Sequence, residues 1–226
     1  MFGKFFEGLF AKNTLYYPGC LTHYALPQIE KNYLSVLTAL GVDYVFVPEF
    51  SCCGSPVKHA GYMDDFACLT GKNREFVKKY GVGKIITNCP ACYRVLSDAE
   101  FKVEHVTQTI SARLERVKAR HSGKITYHDP CHLGRHSGIF DEPRRILAHI
   151  GFAVVELPKC RQDSLCCGGG GGLRTNYPDV SVKVARFVLG QLQTKRLVTT
   201  CPMCYKQFKD NAGEGVEVYE LSELLV

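Results

Sequence analysis

Several features are scarce in this 226-residue chain, and each scarcity closes off a class of function. No stretch approaches the ~18 consecutive apolar residues that a membrane span requires, so none is expected. Lys and Arg occur in isolated pairs such as Lys78-Lys79, Arg144-Arg145 and Lys195-Arg196, never as a basic run. With a net charge of only +6, nucleic acid is not an expected partner. The opening residues, MFGKFFEGLFAKN, hold no continuous apolar stretch and no small-residue cleavage site, so no secretory leader is expected. The expected compartment is the cytoplasm, with a peripheral place at the membrane in a complex as the variant. No C-x-x-C-x-x-C-x-x-x-C-P run occurs, so no ferredoxin-type cubane is encoded.

Cysteine is what the chain has in excess, with twelve. Without a secretory leader, that number favours a reducing compartment and metal binding over disulfides. Ten of the twelve form one pattern written twice. The first copy is Cys20, Cys52-Cys53 and Cys89-Pro-Ala-Cys92; the second is Cys131, Cys166-Cys167 and Cys201-Pro-Met-Cys204. The offsets are 111, 114 and 112 residues, a period held at three anchors, which marks a duplication. The surrounding text repeats as well: TLYYPGC with ITYHDPC, SCCGS with LCCGG, TNCPACY with TTCPMCY. The halves are residues 14–119 and 122–226, joined by ARHSGK and preceded by an amphipathic segment, 1–13.

Within each half, short β-branched and aromatic runs alternate with helical periodicity. Leu15–Tyr17, Tyr44–Val47 and Lys84–Thr87 read as strands, as do Ile125–Tyr127, Val154–Leu157 and Leu197–Thr200. Ile29, Tyr33, Val36, Leu37 and Leu40 recur at helical spacing up to Gly41, and helices are expected near Pro143–Ile150 and over Val180–Leu192. Such alternation predicts an α/β fold with a mainly parallel sheet in each half. Loops after the strands then form the ligand crevice, where five cysteines of each copy can converge.

Four readings compete for these sets. Structural zinc suits the C-x-x-C pairs, but four ligands close such a site and a fifth thiolate is surplus charge. Zinc in one half only stays open. A disulfide within Cys52-Cys53 closes a strained ring. Iron–sulfur chemistry uses more than four sulfurs readily, and Gly54 and the run Gly168 to Gly172 let backbone amides approach a bulky inorganic body. A phosphate cradle at CCGGGGGLR fits neither the dinucleotide fingerprint nor the P-loop. The residues favour iron–sulfur.

The two copies, from YPGC to CPACY and from DPCH to CPMCY, resemble the cysteine-rich CCG domain: a Cys, a gap of about thirty to forty residues, CCG, a similar gap, then C-x-x-C. CCGGGGG in the second half most resembles heterodisulfide reductase catalytic subunits. The resemblance implies a tandem pair of Rossmann-like parallel-sheet domains related by a pseudo-two-fold axis. It implies two non-cubane [4Fe-4S] clusters, one held by Cys20, Cys52, Cys53, Cys89 and Cys92, the other by Cys131, Cys166, Cys167, Cys201 and Cys204. A small disulfide or anionic substrate would lie between them and take one electron from each, supplied by an iron–sulfur or flavoprotein subunit. The alternatives are an electron-relay subunit of a flavin-dependent lactate- or glycolate-type dehydrogenase, and a zinc-stabilised assembly subunit without redox chemistry.

Residues outside the pattern add further expectations. Cys68 reads as a small core residue and Cys160 as a bystander in a loop. His128 and His132, with His136, bracket Cys131; His128 and His132 are the candidate proton donors to a leaving thiolate. Arg135, Arg161 and Arg174 are expected near the pocket rim, with Tyr93 and Tyr205 packed beside the site. Phe2, Phe5, Phe6, Leu9 and Phe10 make an apolar helical stripe; docking of a partner or of a membrane surface through residues 1–12 competes there with cover for the protein's own core.

Overall fold

A computed structural model describes residues 13–47 and 50–226. The stripe of Phe2, Phe5, Phe6, Leu9 and Phe10 lies outside them. In the first half, β1 (Asn13–Tyr16) leads into α1 (Cys20–Ala25) and α2 (Pro27–Ala39), then β2 (Val45–Phe46), α3 (Ser55–His59), α4 (Met63–Lys79), β3 (Val82–Thr87), α5 (Pro90–Asp98), β4 (Val103–His105) and α6 (Val106–Ser111). The second half runs β5 (Lys124–His128), α7 (Asp141–His149), β6 (Ala153–Glu156), α8 (Leu173–Asn176), α9 (Pro178–Leu189), β7 (Arg196–Thr199), α10 (Pro202–Lys209), β8 (Glu217–Glu220) and a closing 3₁₀ turn, Leu221–Leu224. Six strands and three helices expected from periodicity are present within a few residues of their expected bounds.

Both sheets are parallel and share one order, β2-β1-β3-β4 and β6-β5-β7-β8. The buried strands carry the reason: Ile85, Ile86 and Thr87 in β3, and Leu197, Val198 and Thr199 in β7, are nearly inaccessible in succession. Strands covered on both faces read as continuous apolar runs, and parallel crossovers supply that cover. The chain direction across each sheet reverses between its first and third strands, and the crevice beyond such a reversal is where open α/β sheets place ligands.

The halves do not keep separate cores. Tyr16, Tyr33, Leu37, Ile86 and Ile110 of the first half share one buried cluster with Tyr127, Ile146, Leu147, Leu197 and Phe208 of the second. Contact across the seam is reciprocal: α2 packs on the closing turn of the second half, and α7 packs on α6 of the first. Each half's first long helix thus covers the other half's last segment, in accord with the expected pseudo-two-fold relation. Tyr33 donates to Glu220 across the seam at 2.6 Å, both fully buried. A smaller cluster around Leu15, Val47, Phe50 and Leu96 lies within the first half alone.

Cys68 departs from its expected core position and is exposed. It lies in α4, where only Asn73 of seventeen residues is buried. That helix uses its apolar residues sparingly, so a small hydrophobe on it need not face inward.

Candidate metal centre

The patterned cysteines collect where the strand order reverses. Cys20 opens α1 just beyond β1, while Cys89 caps α5 just beyond β3, with Pro90 in the first helical turn and Cys92 one turn in. The second half repeats this: Cys131 lies beyond β5, and Cys201 caps α10 beyond β7. Pro in the first turn is pre-set for the helix and lacks an N–H that would go unpaired, which explains C-P-x-C at the head of a helix.

Within each set the thiols form a row. Cys20 and Cys53 neighbour Cys52, and Cys92 neighbours Cys53 and Cys89. Cys131 and Cys167 neighbour Cys166, and Cys204 neighbours Cys167 and Cys201. All five sulfurs of each copy therefore stand together, and the two rows match position by position. Cys52 and Cys166 are pushed far down, first by the thiols of Cys20 and Cys131, then by those of Cys53 and Cys167. Their neighbours Cys20 and Cys131 are pushed up, first by donating to them, then by burial. Among the described residues, no group of three or more His, Cys, Asp and Glu side chains is disposed to hold a single metal ion. The sulfurs are spread along rows.

Backbone amides point at these sulfurs. Gly54 N donates to Cys52 Sγ, Gly168 N to Cys166 Sγ and Gly169 N to Cys167 Sγ, each at 3.4 Å. The glycine of each CCG has a positive φ, +82° at Gly54 and +79° at Gly168. A Cβ at Gly54 would sit 2.8 Å from the Phe66 ring; at Gly168 it would sit 3.0 Å from Ser181 O. Only glycine allows both the left-handed turn and the close approach of the second helix that follows, α4 or α9. A group larger than one ion, rich in sulfide and iron, fits this donor set: five thiols, amide donors to sulfur, and helix starts beneath Cys89 and Cys201.

Each pair of cysteine loops is braced to its neighbour. Tyr17 donates to Ser51 O at 2.5 Å, tying the turn before Cys20 to the residue before Cys52. At the matching positions, His128 Nε2 bonds Leu165 O at 3.0 Å, tying the turn before Cys131 to the residue before Cys166. His128 is fully buried, and burial holds its pKa below the ordinary histidine value. Neutral His128 thus carries its proton on Nε2, committed to that carbonyl.

His132 lies elsewhere. Its Nδ1 is 3.4 Å from Cys131 Sγ, and its ring meets those of His136 at 5.3 Å and His59 at 5.7 Å. Burial first, then the two neighbouring imidazoles, lowers its pKa. His59 comes from the first half, at the end of the helix that follows Cys52-Cys53, so the cluster joins the surroundings of both thiol sets. Sequence reasoning missed His59. Its one signal was the CCGSPVKH spacing, which is silent about a partner in the other half. Arg94 of α5 reaches across the same seam to His136 O.

The remaining candidates scatter. Arg135 donates to Ser164 O at 3.1 Å, Arg161 pairs with Asp141 at 2.8 Å, and Arg174 bonds Gln207 at 2.9 Å and Asp210 at 2.5 Å. Tyr205 is buried and bonds Glu223, while Tyr93 packs edge-on against His105 at 6.2 Å. Cys160 is partly buried in a cleft of about 760 Å³ with Arg135, Lys159, Gln162 and Asp163. That cleft and a second of about 580 Å³, lined by Lys84, Tyr93, Lys102, Glu104, Glu142 and Arg145 among others, contain none of the ten patterned thiols.

Comparison with known proteins bears on this arrangement. A cysteine-rich (CCG) domain profile matches residues 14–97 and again 125–209. One polypeptide of the dihydromethanophenazine:CoB–CoM heterodisulfide reductase of Methanosarcina acetivorans is 31% identical over 95% of this chain and 58% of its own length. One polypeptide of the CoM/CoB fumarate reductase of Methanothermobacter marburgensis is 33% identical over 93% of this chain and 45% of its own. The EtfAB:quinone oxidoreductase of Syntrophomonas wolfei is 29% identical over 99% of this chain and 34% of its own. The chain thus spans about half the length of the first two, or less, and a third of the last. From the two profile matches, the duplicated thiol rows and these identities, the chain belongs to the cysteine-rich CCG domain family and carries that domain twice.

Proposed function

We propose that the protein is an iron–sulfur oxidoreductase subunit that reduces a disulfide between its two thiol sets, with electrons from a partner subunit. The observation that carries this reading is the pair of equivalent five-thiol rows, each with glycine amides on its sulfurs. Cys20, Cys52, Cys53, Cys89 and Cys92 are the residues that hold one cluster; Cys131, Cys166, Cys167, Cys201 and Cys204 hold the other. A cluster bound there supplies single electrons at a potential set by thiolate charge, hydrogen bonding and burial. Reductive cleavage of a disulfide takes two electrons and two protons and yields two thiols, so a duplicated site matches a symmetric reaction.

The protein's own residues carry the rest. Gly54, Gly168 and Gly169 donate to ligand sulfurs and spread their negative charge. His132 is the donor we assign to a leaving thiolate, because its ring sits at Cys131 and faces His59 across the seam. His128 is assigned the brace at Leu165. The names of the relatives, polypeptides of a heterodisulfide reductase and of a CoM/CoB fumarate reductase, support disulfide–thiol chemistry within a larger assembly. A second reading, an electron relay beside a flavoprotein, is favoured by the EtfAB:quinone oxidoreductase relative.

Anaerobically isolated protein should contain about eight irons with matching labile sulfide. It should turn over a small disulfide when supplied with an artificial reductant. Iron without disulfide turnover selects the relay; colourless protein with stoichiometric zinc overturns both.

A further inference from the structure

The two halves hold their thiol rows by different means. In the second half a buried guanidinium does it. Arg144, on α7, grips Asp129 through both terminal nitrogens at 2.8 Å, and Glu156 at 2.6 and 2.7 Å. Its Nη1 also donates to Phe140 O at 2.7 Å, and it stands over the Tyr127 ring at 4.9 Å. The Arg144 side chain is 10% exposed, that of Asp129 1% and that of Glu156 38%. Asp129 precedes Cys131 by two residues. Its carboxylate also accepts from Arg161 N at 2.8 Å, and its carbonyl accepts from Ser164 Oγ at 2.8 Å. Residues 161–164 lead directly into Cys166-Cys167. One arginine therefore locks the turn before Cys131, and through Asp129 the loop before Cys166, onto α7 and the end of β6.

Among the described residues, the first half has no such lock. YYPGC against YHDPC puts Pro18 where Asp129 stands. Tyr16 pairs with Phe46 as Tyr127 pairs with Glu156, so Phe46 replaces Glu156. Aligning the ends of α2 and α7, at Leu40-Gly41 and Ile150-Gly151, puts Leu34 where Arg144 stands. Leu34 and Phe46 pack against the apolar core instead. Burying an arginine with two carboxylates incurs a desolvation cost that apolar residues of similar size avoid. What the ions provide in return is direction, because a forked guanidinium fixes carboxylates to one geometry.

We propose that Arg144 is a positioning residue: it holds Cys131 against Cys166 before any cluster is bound, so the second thiol set is preorganised by buried charge while the first relies on apolar packing and neutral hydrogen bonds such as Tyr17 to Ser51 O. The inference rests on the iron–sulfur reading for its use in catalysis, but the thiol geometry it describes does not need metal.

The experiment compares Cys131 with Cys20 in the same molecules. Metal-free reduced protein is pulsed with iodoacetamide under native conditions, and each cysteine's labelling rate is read by mass spectrometry. Arg144→Met should speed labelling of Cys131 about tenfold relative to Cys20, equivalent to ~1.4 kcal/mol. Arg144→Lys, a point charge without the fork, should not restore the wild-type ratio. Glu156→Gln keeps the Asp129 grip and should raise the ratio less, which keeps the test open where Arg144→Met does not fold. Leu34→Met, the matching site in the first half, should leave the ratio unchanged. An unchanged ratio in folded Arg144→Met, or full rescue by Arg144→Lys, overturns the proposal. In iron-loaded protein, Arg144→Met should lose the spectrum of one centre and keep the other. Iron-free wild-type protein would instead sink the cluster reading and leave the labelling ratio as an independent result.

Discussion

At single residues, the glycine after each cysteine pair leaves no room for a side chain. Gly168 combines φ +79° with a virtual Cβ 3.0 Å from Ser181 O, whereas Gly170, two residues on, has nothing within 4 Å. Gly168→Ala should therefore destabilise by about 1–3 kcal/mol and move the Cys166 and Cys167 sulfurs off their amide donors, while Gly170→Ala should stay within about 0.5 kcal/mol of wild type. Chemical denaturation of the two variants checks this. The thiols themselves set a second expectation. Cys53→Ser or Cys167→Ser removes the middle of one row, so the iron count should fall by about half, from about eight to about four. Loss of all iron from either variant would show that the sets do not fill independently.

Among the elements, the capping of β8 into the closing turn has a pH signature. Glu220 caps that turn by accepting from Ser222 N at 2.8 Å, accepts from Tyr33 of α2 at 2.6 Å, and has its own amide held by Glu223. Burial raises its pKa to about 7, its hydrogen bonds to Ser222 and Tyr33 opposing the rise. In the unfolded chain it ionises near 4.3. The folded protein thus holds the proton more tightly, so this group's contribution to stability is full below about pH 4. It is lost as pH rises toward 7 and is constant above that. Glu220→Gln removes the titration and keeps an acceptor for Tyr33. Relative to this variant, the wild type should lose on the order of 2–3 kcal/mol between pH 4.5 and 7, read from denaturation midpoints across that range. A parallel pH dependence in the two proteins would count against the raised value.

For the protein as one body, the shared core matters most. Because Tyr33, Leu37 and Ile110 bury against Leu147, Leu221 and their neighbours, neither half can close its apolar surface alone. Intact metal-free protein should unfold in one cooperative transition by calorimetry and circular dichroism. Residues 122–226 made separately should be aggregated or molten, with bound dye and no sharp transition. A separately folded, monomeric half would contradict the shared core. The reciprocal cover also places His59 of one half beside His132 of the other, and no isolated half can reproduce that juxtaposition.

The fold was largely legible because its signals are local. β-branched runs and helical spacing mark strands and helices within a few residues, as at Lys84–Thr87 against β3 and Pro143–Ile150 against α7. The thiol sets were legible because a duplication writes the same spacing twice. Side-chain partners were not legible, since hydrogen bonds over long separations leave no periodic trace. Nothing in the text pairs His128 with Leu165, His59 with His132, or Arg144 with both Asp129 and Glu156. Nor does composition tell that Cys68 faces outward on a sparsely buried helix. The order of residues alone thus dictated two α/β repeats and which ten sulfurs belong together, since propensity and spacing act along the chain. Only the folded packing settled which histidine meets a thiol, which one braces a loop, and that a buried ion cluster stands in one half where Leu34 and Phe46 stand in the other, because desolvation and directional bonding act through space.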